Sequence, residues 1–320
     1  MNFPPPVLRP ARRLVGPLVL AVLLVLVPRP GDLFAQNLVA LEREGFPMAF
    51  QNGRRVVTFE ERPVRVLALG LEAAELLAEL GLADMLVGAA LQSPRQTPLP
   101  RYAPALSRVP SVSLDDLPDL ELAADGPDFL FGRMSPDLRE PAFLKSYHTL
   151  AGNKDQFFQE VRDLARILDA EEKAADFIAS QNDRLSDVSR RLAKADRVPV
   201  LFVRRFQDGT VRTYGGPDFP TSLLALAGAE NVLGHLGSEP EVHFSEAWRR
   251  KPEAVFLVDD GREPPEERLA ALKDDPDFAG LPAVREGRLY HIAEAYLLPG
   301  PRLADAVEIM AASLHPSLRP

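Results

Sequence analysis

Apolar and polar positions along the chain alternate between short β-prone runs and helical periods. The clearest helical period covers Ala170–Ala195. There Ala174, Phe177, Ile178, Leu185, Val188 and Leu192 recur on one face, opposite a charged one. Glu171 and Glu172 fall in the first turn and Arg190, Arg191 and Lys194 in the last, the arrangement the helix dipole favours. No Gly or Pro interrupts the run. At 1.5 Å per residue this predicts a helix of roughly 35 Å, long enough to run along two small lobes. A shorter helix is predicted over Asp155–Leu168, with Phe157, Phe158, Val161, Leu164 and Leu168 on its apolar face.

Upstream, Phe46–Phe59 reads as a hairpin about Asn52-Gly53, the strongest two-residue turn signal. A buried strand is expected over Arg65–Leu69, a helix over Leu71–Leu80 closed by Gly81, and a strand over Met85–Ala90. Gln92–Pro110 reads as a proline-rich loop and Asp128–Phe131 as a third strand. Beyond the long helix the pattern restarts. Pro199–Val203 is a strand, Phe219–Ala227 a helix closed by Gly228, and Ala254–Val258 and Leu289–Ile292 are strands. Arg302–Leu314 is a closing helix. Strands alternating with helices imply an α/β fold with parallel-rich sheets covered on both faces.

The two halves also resemble each other. LLAELGLADMLVG (Leu76–Gly88) parallels LLALAGAENVLG (Leu223–Gly234). Glu121 stands six residues before Pro127-Asp128, as Glu246 stands six before Pro252-Glu253, and each motif leads into an apolar strand. The repeat implies two similar lobes joined by the long helix. The expected organisation is a leader over residues 1–35, a first lobe over 36–153, connecting helices over 154–195 and a second lobe over 196–320.

Composition narrows the class. The net charge is −9, with acids and bases mixed and no basic stripe, which argues against nucleic acid as a partner. The absence of cysteine excludes disulfides and thiolate metal sites. Arg9, Arg12 and Arg13 precede an apolar run over Leu14–Val27 that is short for a bilayer span, and a cleavage site fits at Ala35. The chain is therefore expected to be exported and soluble, through the general or the twin-arginine route. G-x-S-x-G, P-loop and G-x-G-x-x-G motifs are missing, and the histidines, with His235 and His243 the nearest to a pair, lack metal-ligand spacing. No catalytic residues and no metal site are expected.

In open α/β sheets ligands sit beyond the carboxyl ends of the strands. That rule selects the loops holding Gly70-Leu71-Glu72, Gln92–Arg95, Arg133–Ser135, Arg204-Arg205-Phe206, Thr213–Gly216, Asp259–Gly261 and Ala295-Tyr296. Arginines there bond pairs of oxygens and stack on flat rings. Arg95, Arg133 and one of Arg204 or Arg205 are candidates for a positive wall, because Arg204 and Arg205 point to opposite sides of an extended segment. Phe206, Tyr214 and Tyr296 are candidates for apolar contact. Trp248, the lone tryptophan, is assigned to packing.

RPVRVLALG (Arg62–Gly70), GLADMLVGAA (Gly81–Ala90), LELAADGPDFLFG (Leu120–Gly132), ARILDAEEKAADF (Ala165–Phe177), TSLLALAGAENVLG (Thr221–Gly234), FSEAWRRKPEAVFLV (Phe244–Val258) and LPAVREGRLYHI (Leu281–Ile292) are the informative stretches. In order and spacing they resemble the helix-backboned periplasmic binding proteins of ABC importers, the group that captures ferric siderophores, cobalamin and haem. The resemblance implies two Rossmann-like lobes, a ligand cleft between them and a stiff helix behind. It implies a monomer without covalent cofactor that binds an Fe(III) chelate and delivers it to an ABC permease and its ATPase. It further implies that Glu121 and Glu246, with Asp119 as an alternative on the first lobe, dock on permease arginines. For haem, Tyr102, Tyr214 and Tyr296 are the candidate iron ligands. A role as an exported sensor without transport is the alternative from another class.

Overall fold

The computed structural model describes residues 45–91, 97–113, 115, 119, 125–133 and 144–316. The expected leader, Arg95 and Glu121 lie outside the described residues. No helix among the described residues is long and apolar enough to cross a membrane.

Two parallel four-stranded sheets dominate. The first contains β3 (Val66–Leu69), β4 (Leu86–Ala90), β5 (Phe129–Gly132) and β6 (Lys145–His148), in the order β4-β3-β5-β6. The second contains β7 (Val198–Val203), β10 (Ala229–Asn231), β12 (Ala254–Asp259) and β13 (Leu289–Ala293), in the order β10-β7-β12-β13. The orders match: in each sheet the chain moves from the first strand to an edge on one side, then returns to its other side. The repeat in sequence is thus a repeat in topology. α1 (Leu71–Glu79) follows β3, α2 (Ala103–Leu106) lies downstream of β4, and α5 (Phe219–Leu226) precedes β10. Gly81 (φ +74°) and Gly228 (φ +75°) reverse the chain after α1 and α5 at equivalent places, in the left-handed region that side chains disfavour.

Alternate residues of each buried strand serve different cores, as a sheet covered on both faces requires. Val200 and Phe202 face a large core with Phe129, Phe157, Phe177, Leu223 and Met310, whereas Leu201 and Val203 face a second one with Phe244 and Phe278. The large core takes side chains from both sheets, so the lobes share apolar packing behind the cleft. Two helices carry it: α3 (Lys154–Leu168) and α4 (Glu171–Leu192). Asn153 caps α3 by accepting from the Gln156 N–H at 3.0 Å, and Asp169 ends it in the left-handed conformation. α4 is the predicted long helix, at 22 residues. It buries Ala174, Phe177, Ile178, Leu185, Val188 and Leu192, together with Gln181. Gln181 accepts from the Ala304 N–H at 2.9 Å, satisfying one of the free first-turn amides of the closing helix α10 (Leu303–Leu314).

Several local expectations are corrected. The hairpin β1 (Met48–Asn52)–β2 (Arg55–Phe59) turns over Gly53-Arg54, with Asn52 paired to Arg55. Asn52 instead buries its amide against β6, exchanging two 2.8 Å hydrogen bonds with the His148 backbone. The part of the proline-rich loop that is described contains α2. β6, β10 and a small antiparallel sheet of β8 (Arg205–Gln207), β9 (Thr210–Arg212) and β11 (Glu241–His243) were not expected. Between β11 and β12 lies α6 (Phe244–Arg249); between β12 and β13 lie α7 (Pro265–Asp274), α8 (Pro276–Ala279) and α9 (Pro282–Arg285).

Candidate functional site

The topology creates one switch point in each sheet, between β3 and β5 and between β7 and β12, where the chain leaves adjacent strands in opposite directions. Backbone approach is close there. At Gly132 (φ +133°) a Cβ would lie 2.4 Å from the Leu69 carbonyl oxygen, so only glycine lets β5 end beside β3. Arg133 follows directly. In the second sheet Arg204 leaves β7, and Arg268 ties the switch point together by donating to the carbonyls of Arg204 (2.7 Å) and Val258 (2.8 Å).

Charged side chains converge between the two switch points. Arg204 pairs with Glu294, just past β13, at 2.7 Å and with Glu239 at 2.7 Å. Its guanidinium lies 4.8 Å from the centre of the Tyr214 ring, and the Tyr214 hydroxyl donates to Glu294 at 3.1 Å. Arg133, from the first sheet, reaches Glu239 at 3.6 Å, and Arg212 reaches it at 3.3 Å. Glu239 therefore links arginines of both lobes. Burial works against the charge on Arg204, but Tyr214, Glu294 and Glu239 more than offset this and hold its proton more firmly than usual. Burial opposes charge on Glu239 too, and Arg204, Arg133 and Arg212 outweigh it to keep the carboxyl below its ordinary value. Tyr214 is pushed up by burial and by Glu294.

Beneath this cluster, in the first turn of α1, sits Glu72. It is 2% exposed, and neither carboxyl oxygen has a hydrogen-bond partner. Burial lifts its pKa to about 7, against the pull of its own backbone N–H and Arg133 and with a push from Glu294 and Glu75. Next to it the buried Glu75 is held by Arg302, through bonds of 2.7 Å to each oxygen, and by the Leu99 N–H at 2.7 Å. A compact loop, Thr213–Pro217, closes the side. Gly215 and Gly216 run against the backbone of residues 234–237, where a Cβ on Gly215 would lie 1.9 Å from the Gly237 carbonyl oxygen. Asp218 caps α5 through the Thr221 N–H at 2.8 Å; its other oxygen is buried without a partner, and burial raises it to about 6.

Of the sequence-predicted residues, the structure brings Arg133, Arg204 and Tyr214 together. Arg204 points inward and the exposed Arg205 outward on β8, as alternation requires. Phe206 is placed in the second core, 4.7 Å from the ring of Phe278 and 6.0 Å from that of Phe244. The Tyr296 ring lies 5.1 Å from the Arg302 guanidinium. Glu246 sits on α6 and is clasped by Arg249 and by Arg250 at 3.1 Å. That clasp keeps the carboxylate of Glu246 below the usual range, the bond to Arg250 contributing most. Trp248 packs edge-on against Phe244 and stays 41% exposed. The site residues that sequence reasoning passed over are Glu239 and Glu294. Glu294 directly follows a strand end and was open to the same rule that selected Arg204; Glu239 lies in an irregular segment and carried no signal.

Comparison with known proteins agrees with this geometry. A family described as periplasmic binding protein matches residues 66–296. The chain belongs to the periplasmic binding protein family. Among solved structures this binding protein is similar to an ABC-type Fe3+-hydroxamate transport system from Saccharomonospora viridis, with a TM-score of 0.74 and 20% identity over 84% of this chain and 99% of that one. It is similar also to a periplasmic binding protein from Veillonella parvula (TM-score 0.72, 20% identity, 82% and 94% covered). A third is a periplasmic heme binding protein from Pseudomonas aeruginosa (TM-score 0.65, 24% identity, 81% and 95% covered). Comparison with curated proteins finds no match.

Proposed function

We propose that this periplasmic binding protein captures an iron chelate between its lobes and delivers it to an ABC permease. The observation that carries the reading is the meeting of Arg133 from the first lobe with Arg204 and Tyr214 from the second at the two switch points. Guanidinium donors at a cleft suit the electron-rich oxygens that surround a chelated ferric ion, and an aromatic face suits its organic periphery. The lobes correspond to residues 36–153 and 196–320, with 154–195 behind the cleft, and the protein works as an exported monomer after loss of residues 1–35. A helix shared by both lobes favours small closure movements over wide hinging. Glu121 and Glu246 supply the docking charges toward the permease.

Melting in the presence of a ferric trihydroxamate, a ferric catecholate, ferric citrate, cobalamin or haem tests the reading. At a ligand concentration of 100 Kd, binding adds about 2.7 kcal/mol, which raises Tm by roughly 4–5 °C in a chain of this size. A rise with an iron chelate supports the reading, and a rise with cobalamin alone replaces the ligand. Silence across all five removes it in favour of a sensor without transport.

A further inference from the structure

We infer that Glu72 selects a chelate carrying a protonated amine, of neutral or positive net charge, in preference to a polyanion; this rests on the iron-chelate reading above. Among the described residues, the arginines around the cleft are already committed to glutamates. Arg204 is shared between Glu239 and Glu294, Arg133 and Arg212 are directed at Glu239, and Arg302 is committed to Glu75. Glu72 remains, with both oxygens buried and without a hydrogen-bond partner.

No described side chain pairs with this carboxyl. Glu72 lies in the first turn of α1, where the helix dipole and its own backbone N–H favour an acid, but its carboxyl bonds to no other described residue. The surroundings are instead shaped around it. Gly70 (φ +112°) leaves room for its carboxyl, which a Cβ would approach to 2.5 Å, and Gly300 packs on its Cβ, where a side chain would come within 3.0 Å. An unpaired buried carboxyl is costly to keep, so a fold that makes space for one gains by it only when a donor arrives. The charges in range among the described residues are Arg133, which already has a carboxylate partner, and Glu294 and Glu75, which repel. An ammonium group is the donor that relieves this imbalance. A chelate with surplus negative charge would meet arginines already neutralised by glutamates and add to the repulsion.

A ferric trihydroxamate ending in a free primary amine, and the same chelate with that amine acetylated, separate the terms by titration calorimetry near neutral pH. The amine form is expected to bind the exported protein about tenfold tighter than the acetylated one, the worth of one charge-assisted hydrogen bond. In Glu72→Gln, which keeps the side-chain shape, the two should bind within about twofold, with acetyl-form affinity unchanged; Glu72→Asp should retain part of the preference. Equal affinity of the two chelates for the native protein overturns the inference while leaving the iron-chelate reading intact. So does a preference that survives in Glu72→Gln, or exclusive binding of a ferric catecholate. Failure of every iron chelate to bind overturns both.

Discussion

Arg302 and Glu75 offer the sharpest energetic test of how the two lobes are tied. Arg302 precedes the closing helix and Glu75 belongs to α1 of the first lobe, with side chains 6% and 0% exposed. Two 2.7 Å bonds join them, Arg302 also donates to the Thr97 carbonyl at 3.0 Å, and Glu75 accepts from Leu99. Replacing Arg302 by Met removes three donated bonds and leaves a buried carboxylate with a single amide. The cost of breaking a buried pair from one side is about 3–5 kcal/mol. Replacing Glu75 by Leu strands the guanidinium in the same way. The double variant Glu75→Leu/Arg302→Met leaves no buried charge behind, only the Leu99 N–H and the Thr97 carbonyl to rehydrate, so it should cost about 1–3 kcal/mol. The coupling energy in the cycle is then several kcal/mol and favourable to the pair. Urea unfolding followed by circular dichroism measures all four proteins. A loss below about 1 kcal/mol for Arg302→Met, or a double variant that loses the sum of the singles, would refute the reasoning.

Other consequences follow from the same geometry. Glu160 is buried on α3, accepts from the Leu150 N–H at 2.7 Å, and is raised to about 8 by burial and by Asp163, while the Leu150 and Ala151 amides pull the other way. The folded chain therefore holds a proton there that the unfolded chain releases above about 4.5. This carboxyl lowers stability as pH rises from 4.5 to 8, by at most about 1.4 kcal/mol per unit. Glu160→Gln should flatten that part of the profile and stabilise the protein at pH 8, and an unchanged pH dependence of urea midpoints would contradict the assignment. Gly215→Ala drives a methyl into the Gly237 carbonyl and should cost about 1–3 kcal/mol while weakening ligand, read by melting and titration; a neutral outcome would mean the loop yields freely. Glu121→Arg with Glu246→Arg should abolish chelate-dependent growth and leave the chelate Kd within about twofold; lost affinity would argue against docking.

Much of the fold was legible because its strands are continuous apolar runs and its helices carry strong caps and periods. Val66–Leu69 and Ala254–Val258 have no polar interruption, and α4 shows its buried face directly. β6 was hidden because Lys145-Ser146-Tyr147-His148 is an edge strand with polar residues that find partners elsewhere in the fold, Tyr147 donating to Asp163 at 3.2 Å. The three-residue strands of the small sheet are too short to show a period. At the site, strand-end logic located Arg133 and Arg204, because it depends only on local order. It could not reveal that Glu239 and Glu294, 35 and 90 residues from Arg204, return to neutralise it, nor that Phe206 has Phe278 and Phe244 to pack against. Among the described residues, Arg133 and Arg204 of the expected positive wall are each met by glutamates.

The central claim is that an iron chelate binds between the lobes against Arg133 and Arg204. Calorimetric titration of the exported chain and of Arg133→Ala with the chelate that raises Tm tests it most directly. The account predicts one-to-one binding by the native protein and a loss of about 1–3 kcal/mol, up to roughly a hundredfold in Kd, in Arg133→Ala at unchanged fold. Equal affinity in both proteins would take the ligand out of this cleft.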